Sequence, residues 1–370
     1  MLWSRCPSGS AYLRGRPDDP RISSAGEGLA TEGRNVQPDC GGDMIIDSHA
    51  HYVPQSFLEA IEKDGVPYDA SLRRNGGDPT IMVAGRPYGP ITRHYYETKP
   101  RLADMDRAGV DMQVLSLNPP MVYWADAALG ARLARLYNDE LAAAVAGCPD
   151  RLAGLATVPL QDVPGAVTEL TRAIRELGLR GVYIGSNVNG KDLDHPDLLP
   201  FFAEAAALRA PVFIHPIDVL GVERLRSYYL HNGLGNPFDT AVAAARLIFG
   251  GVLDRFPRLQ VCLGHAGGAL PFLIGRLDRV YRVRKEAREN VRRPPSAYLR
   301  RFYYDTISHH ESALRYLVNL VGADRVMLGS DYRFDMGSLD PVAAVRALRP
   351  LSRKDRSAIL GGVAAKLLKL

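Results

Sequence analysis

Two histidines at the end of an apolar stretch have the spacing of metal ligands. Residues 44–51 read Met-Ile-Ile-Asp-Ser-His-Ala-His, which is typical of a β-strand that ends in His49 and His51. Successive side chains of a strand point to opposite faces, so these two imidazoles project to the same side. Two neutral imidazoles held side by side supply half of a divalent-metal site. The end of a first strand is also where a barrel enzyme keeps its chemistry.

Three further polar residues follow later apolar stretches in the same way. They are His215, His265 and Asp331. A single histidine near a strand end is more often a hydrogen-bonded core residue than a ligand, and Asp331 alone has an alternative as a helix N-cap. Five such groups at strand ends favour one shared site over five separate structural roles.

The elements that must position these residues alternate regularly along the chain. Short apolar, β-branched runs alternate with stretches of helical periodicity, which is the pattern of a parallel sheet. The runs lie at residues 44–49, 110–117, 152–158, 181–185, 211–215, 260–264, 302–306 and 326–330. Eight strands with intervening helices predict an α/β fold, the (β/α)8 TIM barrel, whose strand carboxyl ends meet on one face. An open doubly wound sheet is the alternative, but no glycine-rich phosphate loop follows the first strand.

Two insertions interrupt the alternation. Residues 52–100 contain the stretch 80–91, where Gly85 and Gly89 are turn signals, so we expect a small antiparallel hairpin after strand 1. Residues 217–240 follow the fifth strand and are expected to form a lid or substrate wall.

Composition limits the remaining possibilities. The chain has 370 residues and is 46% hydrophobic, which suits one barrel over residues 44–370. Residues 1–43 are rich in polar residues and glycine without hydrophobic periodicity, so we expect a disordered N-terminal extension or an artefact of start-codon choice. No apolar run approaches the roughly 20 residues that span a bilayer, so no membrane association is expected. The 4 cysteines are scattered, which predicts free thiols in the cytoplasm.

The net charge of +5 has a local source. Residues 276–293 hold eight Arg or Lys and three acidic residues. This segment is interpreted as a solvated helix face, or alternatively as a basic rim that attracts an anionic substrate or meets a partner subunit. Aromatic residues do not interleave with the basic ones as on a nucleic-acid surface, so nucleic-acid binding is not expected.

The motifs around the polar strand ends resemble those of the amidohydrolase superfamily. Four segments carry the resemblance: Asp47-Ser48-His49-Ala50-His51, His215-Pro216, Gly264-His265-Ala266-Gly267-Gly268 and Gly329-Ser330-Asp331-Tyr332. The chain is most similar to the amidohydrolase-related (amidohydrolase 2) family, in the branch of the aminocarboxymuconate-semialdehyde decarboxylase-like enzymes. The similarity runs from Met44 to the C-terminus.

This resemblance implies a metal site and the roles of its residues. It implies one divalent metal ion, usually zinc with manganese as an alternative, bound by His49, His51, His215 and Asp331. It also implies that His265 is the catalytic histidine beside the metal and that Asp331 helps to deliver a proton. Superfamily members with two metals normally carry a modified lysine on strand four, and residues 181–185 contain no lysine, which favours one metal.

Substrate recognition departs from the family pattern. The related decarboxylases hold an anionic substrate with two arginines, one of them from the partner across a dimer interface. Arg276 matches the second arginine, whereas the first is missing near Gly89 unless Arg86 or Arg93 substitutes for it. We therefore expect Arg276, Arg93 and the family-matching Phe334 to contact a small anionic organic acid in a homodimer.

These parts predict a cofactor-free, non-oxidative decarboxylase of a small unsaturated or aromatic carboxylic acid. His265 or Asp331 would deliver the proton that replaces carbon dioxide. The alternative is a metal-dependent hydrolase of a C–N, C–O or C–C bond, because the same residues can direct water at a carbonyl carbon. A non-catalytic barrel is the third hypothesis, and the retention of all five polar groups argues against it.

Overall fold

A ring of parallel strands forms the centre of the computed structural model, which describes residues 44–74 and 76–370. The extension expected at residues 1–43 lies outside the described residues. The strands in chain order are β1 (Ile46–His51), β2 (Ala70–Arg73), β3 (Thr80–Val83), β4 (Arg86–Tyr88), β5 (Met112–Ser116), β6 (Leu152–Gly154), β7 (Val182–Gly185), β8 (Asn187–Val188), β9 (Lys191–Asp192), β10 (Val212–His215), β11 (Val261–Leu263), β12 (Phe302–Asp305) and β13 (Val326–Met327).

Two parallel sheets close on each other to form the barrel. One sheet has the order β1-β5-β6 and the other has the order β7-β10-β11-β12-β13. A bridge between Ala156, two residues after β6, and Val182 of β7 joins the two sheets on one side. On the other side the Ser48 N–H donates to the Leu328 carbonyl oxygen at 2.8 Å, which joins β1 to the residue after β13. The predicted (β/α)8 barrel is thereby confirmed.

The barrel strands are apolar because both of their faces are covered. All residues of β7 and β10 are buried, including the β-branched Val182, Ile184, Val212 and Ile214. Helices cover the outer face of each strand, and inward side chains fill the barrel, so parallel strands read as continuous apolar runs.

Helices alternate with these strands around the barrel. They are α1 (Gln55–Asp64), α2 (Thr98–Ala108), α3 (Ala127–Gly147), α4 (Val163–Arg175), α5 (Leu199–Leu208), α6 (Asn236–Phe249), α7 (Val252–Arg255), α8 (Leu270–Val283), α9 (Glu311–Val321), α10 (Pro341–Ala347), α11 (Arg353–Ser357) and α12 (Val363–Leu368). Asp126 caps α3 by accepting a hydrogen bond from the Leu129 N–H at 2.8 Å. In α4, Ala166, Leu170 and Ala173 form the apolar stripe that faces the core.

The insertion after β1 is a helix followed by a small antiparallel sheet. Strands β3 and β4 form the predicted hairpin, and β2 pairs with β3 as a further strand. Ala84 and Gly85 connect β3 to β4 with φ of 48° and 72°, which gives the two-residue turn the positive φ values of a type I′ hairpin. The sequence analysis predicted this hairpin but did not predict α1, which packs Phe57 and Ile61 into the core.

Residues 217–240 follow β10 as short turns that lead into α6. A 3₁₀ turn at Val222–Arg224 and a π-helical turn at His231–Gly235 precede α6. The final residues of this segment are the first turn of α6, which Pro237 starts in the usual N-terminal position. None of the helices in the described part of the chain has the length and apolarity to cross a membrane.

Candidate active site

Three histidines and an aspartate meet at the carboxyl end of the barrel. One nitrogen or oxygen atom from each of four residues lies within 4.8 Å of the others, namely His49, His51, His215 and Asp331. Asp331 Oδ1 lies 3.0 Å from His51 Nε2 and 3.4 Å from His49 Nε2. It lies 4.0 Å from His215 Nε2. The structure thus brings together the four residues that the sequence analysis named as metal ligands.

The backbone at the strand ends fixes these side chains. The pairing of β1 with β5 shifts register between Asp47 and Ala50, around His49. His215 is the last residue of β10. Asp331 has a φ of 59°, a left-handed conformation that is uncommon outside glycine. Its N–H donates to the His49 carbonyl oxygen at 2.9 Å, so the two ligands are joined directly through the backbone.

The cluster fits a divalent cation. His215 Nδ1 lies 3.0 Å from the Pro216 carbonyl oxygen and donates to it, which leaves the lone pair on Nε2. That buried Nε2 atom has no hydrogen-bond partner among the described residues. An unpaired buried polar atom costs roughly 1–3 kcal/mol, and a metal ion would take up this lone pair. Three imidazoles and one carboxylate are a donor set that binds zinc or manganese.

Electrostatics keep three of the four cluster residues in their ligating form. Burial lowers the pKa of His51 to about 4 and holds the pKa of His215 well below its usual range. Burial alone would raise the pKa of Asp331, but hydrogen bonds to His265 and His51 outweigh it and hold this pKa well below the usual range. At neutral pH the site therefore presents neutral His51 and His215 beside an ionised carboxylate, as metal binding requires.

His265 borders the cluster without belonging to it. Its Nε2 lies 3.5 Å from Asp331 Oδ2, and its ring centroid lies 5.0 Å from that of His215. It stands in a left-handed turn, with φ of 54° at His265 and 58° at Gly268. A Cβ on Gly268 would lie 2.1 Å from the Pro237 carbonyl oxygen, so this close approach requires glycine. The glycines after His265 thus let the turn pack against the start of α6.

Asp305 is a site residue that the sequence analysis did not identify. Its Oδ2 atom lies 2.8 Å from His49 Nδ1 and accepts the His265 N–H at 2.9 Å. Its Oδ1 atom accepts the Ala266 N–H at 2.7 Å and the Ile307 N–H at 3.0 Å. Asp305 therefore orients both the ring of His49 and the backbone of the turn that carries His265. The available signal was a carboxylate at the end of the seventh apolar run.

A second supporting network lies beneath His51. Arg101 is buried, and its Nη2 donates to the His51 carbonyl oxygen at 2.6 Å. Its Nη1 donates to Gln113 Oε1 at 3.0 Å, and Gln113 Nε2 donates to Asp47 Oδ2 at 3.0 Å. The guanidinium carbon lies 4.9 Å from the ring centroid of Tyr332, the residue after Asp331. An amide thus links a buried cation to a buried carboxylate.

Of the three residues predicted to contact substrate, Phe334 lies beside the cluster and the two arginines are exposed. The Phe334 ring lies 4.9 Å from the His51 ring and 6.3 Å from the His215 ring, measured between centroids, so it forms a wall of the site. Arg93 begins a short 3₁₀ turn of the insertion, and Arg276 lies on α8. Both arginines are exposed, and among the described residues no hydrogen bond or ion pair joins either of them to the cluster.

An α/β barrel with three histidines and one aspartate at its strand ends defines a class of metal-dependent barrel enzymes. The family model Amidohydro_2, described as amidohydrolase, matches residues 46–370. The chain belongs to this amidohydrolase family, as its motifs indicated. Its fold and site lie within the matched residues.

Named relatives support the same assignment. The 2-amino-3-carboxymuconate-6-semialdehyde decarboxylase of Dictyostelium discoideum is 38% identical over 330 residues, covering 88% of this chain and 92% of the relative. The 5-carboxyvanillate decarboxylase structure from Sphingomonas paucimobilis superposes with a TM-score of 0.79 at 31% identity, covering 89% of this chain and 100% of that one. The enzyme of the same name from Novosphingobium aromaticivorans, complexed with manganese and 4-hydroxy-3-methoxy-5-nitrobenzoic acid, gives 0.74 at 27%, covering 89% and 97%.

Proposed function

We propose that the protein is a metal-dependent, non-oxidative decarboxylase of a small unsaturated or aromatic carboxylic acid. The observation that carries the proposal is the position of His265, whose Nε2 lies 3.5 Å from Asp331 Oδ2 at the edge of the four-ligand cluster. This arrangement places a group that can exchange protons beside the site where a carboxylate would be held. The relatives named above are decarboxylases, which supports this reaction over hydrolysis.

His49, His51, His215 and Asp331 would hold the metal ion. When bound, a divalent ion supplies positive charge that fixes a carboxylate and stabilises the negative charge that develops on the substrate. We propose zinc as the resident metal because three imidazoles and a carboxylate suit it. Manganese is the alternative, and it is the metal bound in the related Novosphingobium enzyme.

The chain's own residues account for the proton that the reaction needs. As the carbon–carbon bond breaks, carbon dioxide leaves and the bonding electron pair stays on the ring or diene carbon. His265 gives a proton to that carbon and regains one from solvent through its exposed edge, since its side chain is 13% exposed. The Asp331 carboxylate, 3.5 Å from the His265 Nε2 atom, orients the imidazole.

The surroundings of the cluster suggest how an acid is recognised. Phe334 would pack against a planar substrate. We propose that Arg93, or Arg276 of a second copy of the chain in a homodimer, contacts a further anionic group of the substrate. These contacts would explain selection of an anionic organic acid. The free thiols of Cys148 and Cys262 agree with a cytoplasmic protein.

Residues 217–240 are proposed to act as a lid. Asp218 in this segment accepts a hydrogen bond from Arg86 Nη1 at 2.5 Å, which links the segment to the insertion after β1. The Tyr229 hydroxyl donates to Asp335 Oδ1 at 3.1 Å, close to Phe334. Both links are exposed polar contacts of the kind that a moving segment can break and remake at little cost.

The experiment is a screen of carboxylic acids for carbon dioxide release, run beside metal analysis of the purified protein. The screen includes 5-carboxyvanillate, dihydroxybenzoic acids and muconate-type acids. We expect carbon dioxide release by metal-loaded protein and none after metal removal. Incorporation of water into a product without carbon dioxide would instead support a hydrolase. Protein that contains no metal and does not respond to added zinc or manganese would contradict both enzyme hypotheses.

The role of His265 is tested on the same substrate. His265→Ala should lower kcat by about 10²–10⁴-fold because general acid catalysis is lost. Its metal content should equal that of the wild type, since His265 is not one of the four ligands. His195→Ala is the matched control, because His195 is an exposed helix-capping histidine outside the site. A near-wild-type rate for His265→Ala would remove it from the reaction.

A further inference from the structure

Tyr183 lies inside the barrel beside the four-ligand cluster and has no part in the proton transfer described above. It is a residue of β7, and its side chain is almost fully buried, with 2% relative exposure. Its hydroxyl oxygen lies 3.0 Å from His49 Nε2. Its ring centroid lies 5.8 Å from that of His51 and 5.7 Å from that of His215. The phenol therefore occupies the same layer of the barrel interior as the metal ligands.

The surroundings of Asp305 determine where the proton of His49 resides. Oδ1 of Asp305 accepts two backbone N–H groups, and Oδ2 accepts the His265 N–H. A carboxylate surrounded by donors acts as an acceptor, so the proton shared with His49 Nδ1 at 2.8 Å belongs to the imidazole. In the neutral imidazole, the form that a metal ligand must take, His49 Nε2 therefore carries the lone pair. The Tyr183 hydroxyl, 3.0 Å away, can donate its hydrogen to that lone pair.

Metal binding would use the same lone pair. His49 can offer only Nε2 to a metal ion, because Nδ1 is engaged with Asp305. Once Nε2 is a ligand, the Tyr183 hydroxyl loses this acceptor while still buried. The Ser116 hydroxyl donates to the Ala50 carbonyl oxygen at 3.1 Å, so its own oxygen atom is one acceptor left to Tyr183. An oxygen atom of an acid bound among the ligands is the other.

We propose that Tyr183 is a substrate-binding residue whose hydroxyl is released by metal binding and then donates a hydrogen bond to the carboxylate of the bound acid. The proposal rests on the proposed function in one respect, that the ligand is a carboxylic acid. It orders the two binding events, with the metal first and the acid second. It also selects ionised acids, because a hydroxyl donor binds a carboxylate oxygen more strongly than an ester or amide oxygen.

Tyr183→Phe removes only the hydroxyl, so its effect on metal binding through His49 and its effect on acid binding can be measured separately. Metal affinity is measured by competition between the full-length protein and a chelator for Mn²⁺. We expect the variant to bind Mn²⁺ about 2- to 10-fold more tightly, because no hydrogen bond competes for His49 Nε2. Acid affinity is measured on Mn²⁺-loaded protein with 4-hydroxy-3-methoxy-5-nitrobenzoic acid. We expect this affinity to fall on the order of 10- to 100-fold, as for loss of a hydrogen bond to a charged group.

The matched control is Tyr304→Phe. Tyr304 is also a buried tyrosine of a barrel strand, and its hydroxyl donates to the Leu299 carbonyl oxygen at 2.8 Å, away from the cluster. Its replacement should leave both affinities unchanged.

The outcomes separate this proposal from the proposed function. Wild-type protein that binds neither Mn²⁺ nor the nitrobenzoate would contradict the proposed function itself. Wild-type binding of both, with unchanged nitrobenzoate affinity in Tyr183→Phe, would overturn the role of Tyr183 and leave the hydroxyl bonded to Ser116. Weaker Mn²⁺ binding by Tyr183→Phe would also overturn the proposal, because it would show that the phenol supports the metal cluster and does not compete with the metal ion for His49 Nε2.

Discussion

Replacing Asp305 by asparagine removes the carboxylate that holds the ring of His49 and the turn carrying His265 in place. Oδ2 lies 2.8 Å from His49 Nδ1 and 2.9 Å from the backbone nitrogen of His265. Oδ1 lies 2.7 Å from the backbone nitrogen of Ala266 and 3.0 Å from that of Ile307. A carboxylate accepts from all four of these N–H groups, three of the backbone and one of the His49 ring. An asparagine amide has one acceptor oxygen, so its NH₂ group must face two donors wherever the amide is turned.

The expected magnitude follows from the two hydrogen bonds that are lost with one acceptor oxygen. Hydrogen bonds to a charged group contribute about 1.5–3 kcal/mol each, so losing two of them lowers the free energy of unfolding by about 3–6 kcal/mol. The effect on metal binding comes from the ring of His49, which is no longer oriented and whose proton is no longer fixed on Nδ1. Loss of such a partner typically weakens metal affinity by about 10–100-fold.

Chemical unfolding and chelator competition measure the two effects on the same protein. Asp239→Asn is the matched control, because Asp239 is also buried and accepts hydrogen bonds from the Ser186 hydroxyl and the Leu220 N–H outside the cluster. The control should lose stability while keeping its metal affinity. The reasoning is refuted if Asp305→Asn keeps its metal affinity within about two-fold of the wild type, because loss of an orienting partner should exceed that change.

Three further predictions concern the Arg101 network beneath His51, the Phe334 side chain beside the cluster and the metal ion. Arg101→Met should lower the free energy of unfolding, measured in urea, by about 3–5 kcal/mol, because Asp47 is left buried without the cation to which Gln113 connects it. Adding Asp47→Asn should restore part of that stability, and equal stability of the single and double variants would contradict the connection between Arg101 and Asp47. Phe334→Ala should weaken binding of the nitrobenzoate probe by roughly 10-fold through lost packing, with metal affinity unchanged in chelator competition. Treatment with a chelator should abolish activity and lower Tm, since a metal present at about 1,000 times its Kd stabilises by about 4 kcal/mol, and zinc or manganese should restore both.

The barrel and the ligand positions were predictable because their signals are local in the sequence. His49 and His51 show their common direction by spacing alone, and the apolar runs show the strands whose ends must meet. The antiparallel hairpin was likewise visible through its turn residues. These features depend on neighbours within a few positions, and the closed ring then brings the strand ends together without further information.

The contacts between ligands and supporting residues could not be predicted in this way. Asp305 lies 256 positions from His49, and Tyr183 lies 134 positions from it, so their pairing depends on barrel closure and on side-chain direction within it. Arg101 reads as one more charged residue of α2, and only packing shows that it is buried beneath His51. Arg93 and Arg276 stay predictions, since both are exposed in the single chain.

The most direct measurement of the central claim is the fate of atoms during turnover of an accepted acid. The reaction is run in D₂O, and separately in ¹⁸O-labelled water, with NMR and mass spectrometry of the product and quantification of released carbon dioxide. Decarboxylation with proton delivery by His265 predicts equal amounts of carbon dioxide and product, with deuterium on the carbon that lost the carboxylate and no ¹⁸O in the product. A product that carries ¹⁸O and retains its carboxylate would contradict the account and identify the protein as a hydrolase.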